Sequence, residues 1–121
     1  MKLRIRGNTL RLRLSQGELG TLLERGFVEE CVSFAAEARL RYRLERADIG
    51  AAQVEYRDHR ITVRLPQQDV ARWAEPQEVS IRAEQPAGDG KLELLVEKDF
   101  QCLSPRGDED DADSFPNPQG A

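Results

Sequence analysis

The segment KLRIRGNTLRLRL, residues 2–14, decides the fold class. Apolar and charged side chains alternate on both sides of Gly7-Asn8, so each arm places its apolar side chains on one face of a strand. A glycine beside an asparagine favours the positive φ angles of a tight turn. The segment therefore predicts an antiparallel hairpin with one buried face and one solvated face.

A second segment, QVEYRDHRITVRL at residues 53–65, has the same alternation and the same length. Arg6 and Arg13 of the first segment correspond to Arg57 and Arg64 of the second. We interpret the two segments as an internal repeat.

A short helix is predicted after each hairpin. Ser15 precedes Glu18 by the spacing of a capping box, and Gly26 ends the segment, so residues 15–25 form the first helix. Pro66 begins the second helix, at a position where the missing N–H is tolerated. The buried residues of the two helices correspond to one another: Leu19 and Leu22 in the first, Val70 and Trp73 in the second.

Each helix is followed by two more alternating segments, at about 27–34 and 38–46 and at about 78–85 and 91–98. The fold class is α+β: two ββαββ repeats that form a curled antiparallel sheet or barrel with two short helices. Two short helices cannot cover an eight-stranded sheet, because a helix about 10 Å wide spans about two strands. Either the sheet curls on itself or two copies pack together as a homodimer.

The chain is expected to hold one α+β domain at residues 1–103, with halves at about 1–50 and 51–103, and an acidic, proline-containing tail at residues 104–121. The tail carries Arg106 against five acidic residues, so it accounts for the net charge of −4 and the rest of the chain is neutral. Acid-rich ends are usually solvated. The alternative is that Phe100 and Phe115 dock the tail on the domain, with its acidic segment over a basic face.

Composition excludes several classes of protein. No stretch approaches the roughly 18 apolar residues of a membrane span, and the opening residues lack the pattern of a signal peptide, which favours a cytoplasmic protein. Nucleic acid is an unlikely partner, because the domain is neutral and has few aromatic residues to stack bases. We expect Cys31 and Cys102 to be unpaired thiols.

The charged face of the strands is rich in arginine, and dense guanidinium groups suit phosphate or carboxylate. The candidate anion-binding residues are Arg4, Arg6, Arg11, Arg13, Arg41, Arg43 and Arg64. The alternative is a solvated lattice of ion pairs between these arginines and glutamates on the same face. Those glutamates are Glu45, Glu55, Glu84, Glu93 and Glu97.

Catalytic patterns are lacking in the sequence. The single histidine, His59, occupies a predicted turn, and no phosphate loop, dinucleotide fingerprint or zinc spacing occurs. We therefore predict no catalytic residue, no metal site and no cofactor.

The opening MKLRIRGNTLRLRLSQGEL and the ending EKDFQCLSPRGDEDDADSFPNP resemble a family of short bacterial proteins without an assigned activity. The resemblance spans nearly the whole chain. It implies that the tail belongs to the domain.

The segments RIRGNTLRLRL and VEKDF are similar to strands of the triphosphate tunnel (CYTH) superfamily, whose eight-stranded barrels hold polyphosphate in a charged tunnel. This chain lacks the ExExK signature of that superfamily and is shorter. The similarity implies a small phosphohydrolase in which the candidate arginines grip phosphate and Glu93 and Glu97 hold a metal.

The leading hypothesis is a non-enzymatic binding module whose arginine-rich sheet face contacts an anionic ligand or protein partner. The alternatives are the tunnel-like phosphohydrolase or polyphosphate-binding protein, and a structural homodimer.

Overall fold

The computed structural model describes residues 1–99 and Phe115. Eight strands and two helices follow one another in the order ββαββββαββ. The elements of the first half are β1 (Lys2–Arg6), β2 (Thr9–Leu14), α1 (Gln16–Arg25), β3 (Phe27–Ala35) and β4 (Ala38–Ala47). Those of the second half are β5 (Gln53–Arg57), β6 (Arg60–Pro66), α2 (Gln67–Trp73), β7 (Ser80–Ala87) and β8 (Gly90–Lys98).

The strands form two four-stranded sheets, and each sheet takes one hairpin from each half of the chain. Sheet A has the order β1-β2-β8-β7 and sheet B the order β3-β4-β6-β5. Within a hairpin the strands are antiparallel, but the central pairs, β2 with β8 and β4 with β6, are parallel. The two halves are therefore interlocked, because neither can complete a sheet from its own strands.

The predicted α+β class with two ββαββ units is confirmed. Within the described residues, the strands form two mixed sheets that do not close into a barrel. In each half, the helix lies between the two hairpins, and the hairpins belong to different sheets. Each sheet is therefore completed by a hairpin from the other half, which joins it through a parallel strand pair. The proposed domain boundary at residue 103 lies outside the described residues.

Both ends of α1 carry the capping residues that the sequence predicts. Ser15 is the N-cap of α1, its side chain accepts from the Glu18 backbone N–H, and the Glu18 side chain accepts from the Ser15 N–H. Gly26 closes the helix with a φ of 92°, a left-handed conformation that glycine adopts without steric cost. In the second half, Pro66 is the last residue of β6 and α2 begins one residue later.

The core lies between the two sheets and is covered by the helices at one end. Helix α1 follows β2 and leads to β3, and α2 follows β6 and leads to β7. Both helices therefore lie at the end of the sheets opposite the four hairpin turns. Leu14, Leu44, Leu65 and Val96, near the helical end, are fully buried. At the turn end, large apolar side chains are exposed: Ile5 at 59%, Tyr56 at 66% and Phe34 at 71%.

His59 lies in the β5–β6 turn, as predicted. Asp58 and His59 have φ angles of 53° and 60°, and two successive positive φ angles match the twist of a two-residue hairpin. Among the described residues, neither helix is long and apolar enough to cross a membrane.

Candidate anion-binding site

The seven candidate arginines lie on two separate surfaces. Arg4, Arg6, Arg11 and Arg13 alternate with the apolar residues of β1 and β2 and so lie on the outer face of sheet A, the face away from the core. Arg41, Arg43 and Arg64 lie on the outer face of sheet B. A single guanidinium grid is therefore not formed, and each face has to be considered by itself.

Sheet B largely neutralises its central arginines. Arg43 Nε donates to Glu45 Oε1 at 3.0 Å, and Arg64 lies 3.8 Å from Glu45 and 3.5 Å from Glu55. The Arg43 guanidinium also lies 3.9 Å from the centroid of the Phe27 ring, within the range of a cation–π contact. In this part of sheet B the arginines and glutamates form an ion-pair lattice, one of the two interpretations of the charged face.

Arg41 differs from its neighbours in sheet B. It is paired with Cys31 in β3 and with Arg60 in β6, and Arg60 is in turn paired with Arg57 in β5. No described carboxylate lies within 4.0 Å of its guanidinium. Unlike the arginines of sheet A, Arg41 lines neither the depressions of sheet A nor the depression beside Phe34 and Tyr56 at the turn end of sheet B.

In sheet A, Glu97 holds two of the four candidate arginines. The Nε atoms of Arg11 and Arg13 both donate to Glu97 Oε1 at 2.6 Å. Burial by itself raises the pKa of the Glu97 carboxyl, but the hydrogen bonds and charges of the two arginines outweigh burial, and the net pKa is below the ordinary value. These arginines are fixed in position by an ionised partner.

Replacing Glu97 by glutamine is expected to lower the free energy of unfolding at pH 7 by about 1–2 kcal/mol, because a charge-assisted acceptor is lost from a partly exposed cluster. A carboxyl whose pKa is lowered by folding stabilises the folded state above its unfolded pKa and stops doing so as the pH falls through the folded value. The difference from wild type should therefore begin to shrink below about pH 4.3, the pKa of an unfolded glutamate.

Urea denaturation at pH 7 and pH 3 measures this difference. Glu93→Gln is the matched control, since exposed Glu93 accepts one hydrogen bond, from Thr9 at 3.2 Å. A destabilisation by Glu97→Gln that is equally large at both pH values would contradict the assignment.

Arg4 and Arg6 are the candidate residues that this face leaves uncompensated. Among residues 1–99 and Phe115, no carboxylate lies within 4.0 Å of either guanidinium. Both side chains line a surface depression of about 590 Å³. The other residues of this depression, which we call the β1–β2 depression, are Gly7, Asn8, Thr9, Arg11 and Leu95.

Strand register shows why sheet A differs from sheet B. In each sheet, a row of outer-face residues crosses all four strands. The row in sheet A passes through the residue two positions before Arg13 in β2, and the row in sheet B passes through the residue two positions before Arg64 in β6. In sheet A this row reads Arg4, Arg11, Leu95 and Arg82. In sheet B it reads Glu55, Thr62, Arg43 and Glu29. The row in sheet B contains one arginine and two glutamates, whereas the row in sheet A contains three arginines and a leucine.

Two of these residues were missing from the predicted site. Leu95 and Arg82 join Arg4 and Arg11 only through the parallel pairing of β2 with β8, in which Arg11 stands opposite Leu95. No local pattern in the sequence indicates that pairing. The outer face of β8 was predicted to pair glutamates with arginines, which is found for Glu97.

The features of a triphosphate tunnel do not assemble. The inward-facing residues of both sheets form the apolar core, and the arginines lie on the outer faces. Glu93 and Glu97 are four residues apart on one strand, about 13 Å by strand rise, which is too far to share an ion. In the described part of the chain, no group of three His, Cys, Asp or Glu residues could hold a metal.

From the tail, the structure describes Phe115; Phe100 and the acidic segment lie outside the described residues. The Phe115 N–H donates to the Asp99 carbonyl at 2.7 Å, and its ring packs against the core. Lys98 Nζ lies 5.3 Å from the ring centroid and donates to the Glu75 carbonyl at 2.8 Å. Burial lowers the pKa of Lys98, against an opposing effect of Glu78.

A family model described as a family of unknown function (DUF7009) matches residues 1–119. The chain belongs to DUF7009. No curated protein and no solved structure matches the chain. The predicted resemblance to a family without an assigned activity is thereby confirmed, whereas the similarity to triphosphate tunnel strands stays a hypothesis. Because DUF7009 carries no stated activity, a functional proposal has to rest on the site.

Proposed function

We propose that this DUF7009 protein is a non-enzymatic, cytoplasmic binding module that holds a phosphate-bearing ligand in the β1–β2 depression of sheet A. The observation that carries the proposal is the contrast within one face. Glu97 compensates Arg11 and Arg13, while Arg4 and Arg6 have no described carboxylate partner and line an open depression. Cys31 is exposed and forms no disulfide with any residue that the structure describes, which suits a reducing compartment.

The chemistry of the side chains supports an anionic ligand with several oxygens. Arginine stays charged at all physiological pH values and presents donors in a planar fork that matches phosphate and carboxylate. Arg4 and Arg11 are cross-strand neighbours, and Arg6 lies two residues along β1 from Arg4. Three guanidinium groups within one hairpin can therefore contact one polyanion, with Arg11 held in place by Glu97.

A ligand that binds only the folded state raises the melting temperature, and the stabilisation grows with the logarithm of the ligand concentration over its dissociation constant. The experiment is a thermal-shift titration with pyrophosphate at low salt, on wild type and on the Arg4→Gln/Arg6→Gln variant. Pyrophosphate should stabilise the wild type, and the variant should bind at least tenfold more weakly. Added salt should reduce the effect, because ionic strength screens exposed charges.

The matched control is Arg41→Gln/Arg57→Gln, which removes two positive charges from the outer face of sheet B, away from the β1–β2 depression. It should retain pyrophosphate binding. Circular dichroism shows whether each variant is folded. The proposal fails if folded wild type does not respond to pyrophosphate, or if the control loses as much binding as the site variant.

A further inference from the structure

Leu95 lies at the centre of the outer face of sheet A, among arginines. It stands opposite Arg11 on one side and Arg82 on the other. The position that corresponds to it in sheet B is Arg43, which is surrounded by acidic partners and a phenyl ring. In sheet A an apolar side chain replaces that cation, so the centre of the arginine row is uncharged.

Leu95 also connects two neighbouring depressions. It lines the β1–β2 depression of about 590 Å³ and a second depression of about 380 Å³, whose polar lining residues are Thr9, Arg82, Glu84 and Glu93. Volumes of this order fall within the roughly 300–1,000 Å³ typical of small-molecule sites. An inorganic phosphate ion would fill only a small part of the space and would leave Leu95 uncovered.

Asn8 adds a polar group to the same depression. Its Nδ2 donates to the Lys91 carbonyl at 2.8 Å, which fixes the side chain across the two hairpin turns of sheet A. Its Oδ1 accepts no hydrogen bond from any residue that the structure describes. A fixed acceptor beside an apolar side chain suits a ring that bears hydroxyl or amino groups.

We infer that the ligand of this site is a nucleoside diphosphate, with its phosphates on Arg4, Arg6 and Arg11 and its base over Leu95. The inference rests on the proposed anion site and adds the organic part of the ligand to it. Burying the face of a base against leucine contributes apolar contact area that pyrophosphate cannot supply.

The test compares dissociation constants of ADP, pyrophosphate and adenosine for wild type, Leu95→Asn and Leu95→Ile, measured by isothermal titration calorimetry. ADP should bind wild type about tenfold more tightly than pyrophosphate does, and adenosine alone should bind much more weakly than ADP. Leu95→Asn should bring the affinity for ADP down to that for pyrophosphate and leave pyrophosphate binding unchanged. Leu95→Ile, which keeps an apolar side chain, should retain the preference for ADP.

The outcomes separate this inference from the proposed function. If pyrophosphate binds but ADP binds no more tightly, or if Leu95→Asn leaves the preference for ADP intact, the nucleotide assignment is wrong and the anion site stands. If adenosine binds as tightly as ADP, the phosphates are not recognised and the assignment is also wrong. If neither ADP nor pyrophosphate binds the folded protein, the proposed function fails and the inference fails with it.

Discussion

Replacing Trp73 by alanine is expected to lower the free energy of unfolding by about 3–5 kcal/mol, the usual cost of truncating a fully buried large aromatic side chain. Trp73 is 1% exposed and ends α2, a helix of only seven residues. Its indole N–H donates to the Val79 carbonyl at 3.0 Å. A helix this short has little intrinsic stability, so the burial of Trp73 and Val70 fixes α2 on the sheets.

Urea denaturation followed by far-UV circular dichroism measures the effect, because Trp73 is the single tryptophan and its fluorescence is lost in the variant. Trp73→Phe is the control for volume. It keeps most of the ring but loses the indole hydrogen bond, and the Val79 carbonyl still accepts from the Lys98 N–H at 3.1 Å. A loss of about 1 kcal/mol is expected for Trp73→Phe. Trp73→Ala with wild-type stability would show that α2 does not pack as described.

Replacing Gln85 by leucine is expected to lower the free energy of unfolding by about 2–3 kcal/mol. Gln85 belongs to β7, an edge strand of sheet A, while Val54 belongs to β5, an edge strand of sheet B. The Val54 N–H donates to Gln85 Oε1, and Gln85 Nε2 donates to the Val54 carbonyl, each at 2.8 Å. The side-chain amide of Gln85 thus takes the place of a neighbouring strand beside Val54. Leucine would leave the Val54 N–H and the Val54 carbonyl without these hydrogen-bond partners.

Gln85→Glu tests the geometry of this contact. An ionised carboxylate can accept from the Val54 N–H but cannot donate to the Val54 carbonyl, whereas a protonated carboxyl can do both. The folded state therefore favours the protonated form of this variant and its pKa is raised on folding. Its deficit against wild type should shrink as the pH falls through this raised pKa and should be smallest below the roughly 4.3 of an unfolded glutamate.

Chemical denaturation of both variants at pH 7 and pH 3.5 measures the two effects, and Gln68→Leu, at an exposed position of α2, controls for loss of an amide. If Gln85→Leu is no more destabilising than Gln68→Leu, the amide does not join the two sheets.

Local features of this fold were predictable because their causes are local. The alternation in residues 2–14 depends on strand geometry alone, and the cap at Ser15 depends on two residues three positions apart, Ser15 and Glu18. The turn at His59 follows from its place between two alternating arms. Each of these features was predicted from the sequence and is present.

The pairing of hairpins was not predictable in the same way. Alternation shows that Arg11 and Leu95 each lie on a solvated face, but it does not show that they are neighbours. They are neighbours because β2 pairs with β8 in parallel. By their alternation alone, several other strands could have paired with β2 equally well. The candidate arginines were therefore identified as a set, while their division between two faces and the role of Leu95 required the structure.

The interlocked sheets have a consequence for how the chain acquires its structure. Thr9 and Glu93 are neighbours in sheet A although 84 positions separate them along the chain. Non-local strand pairing requires loop closure before it yields contacts, and it is associated with folding times of milliseconds to seconds. During synthesis, β1 and β2 can close their own hairpin early, but they wait without a partner until β8, near the end of the domain, has left the ribosome. The backbone N–H and carbonyl groups on the edge of β2 that faces β8 thus stay without their strand partner until β8 has been made.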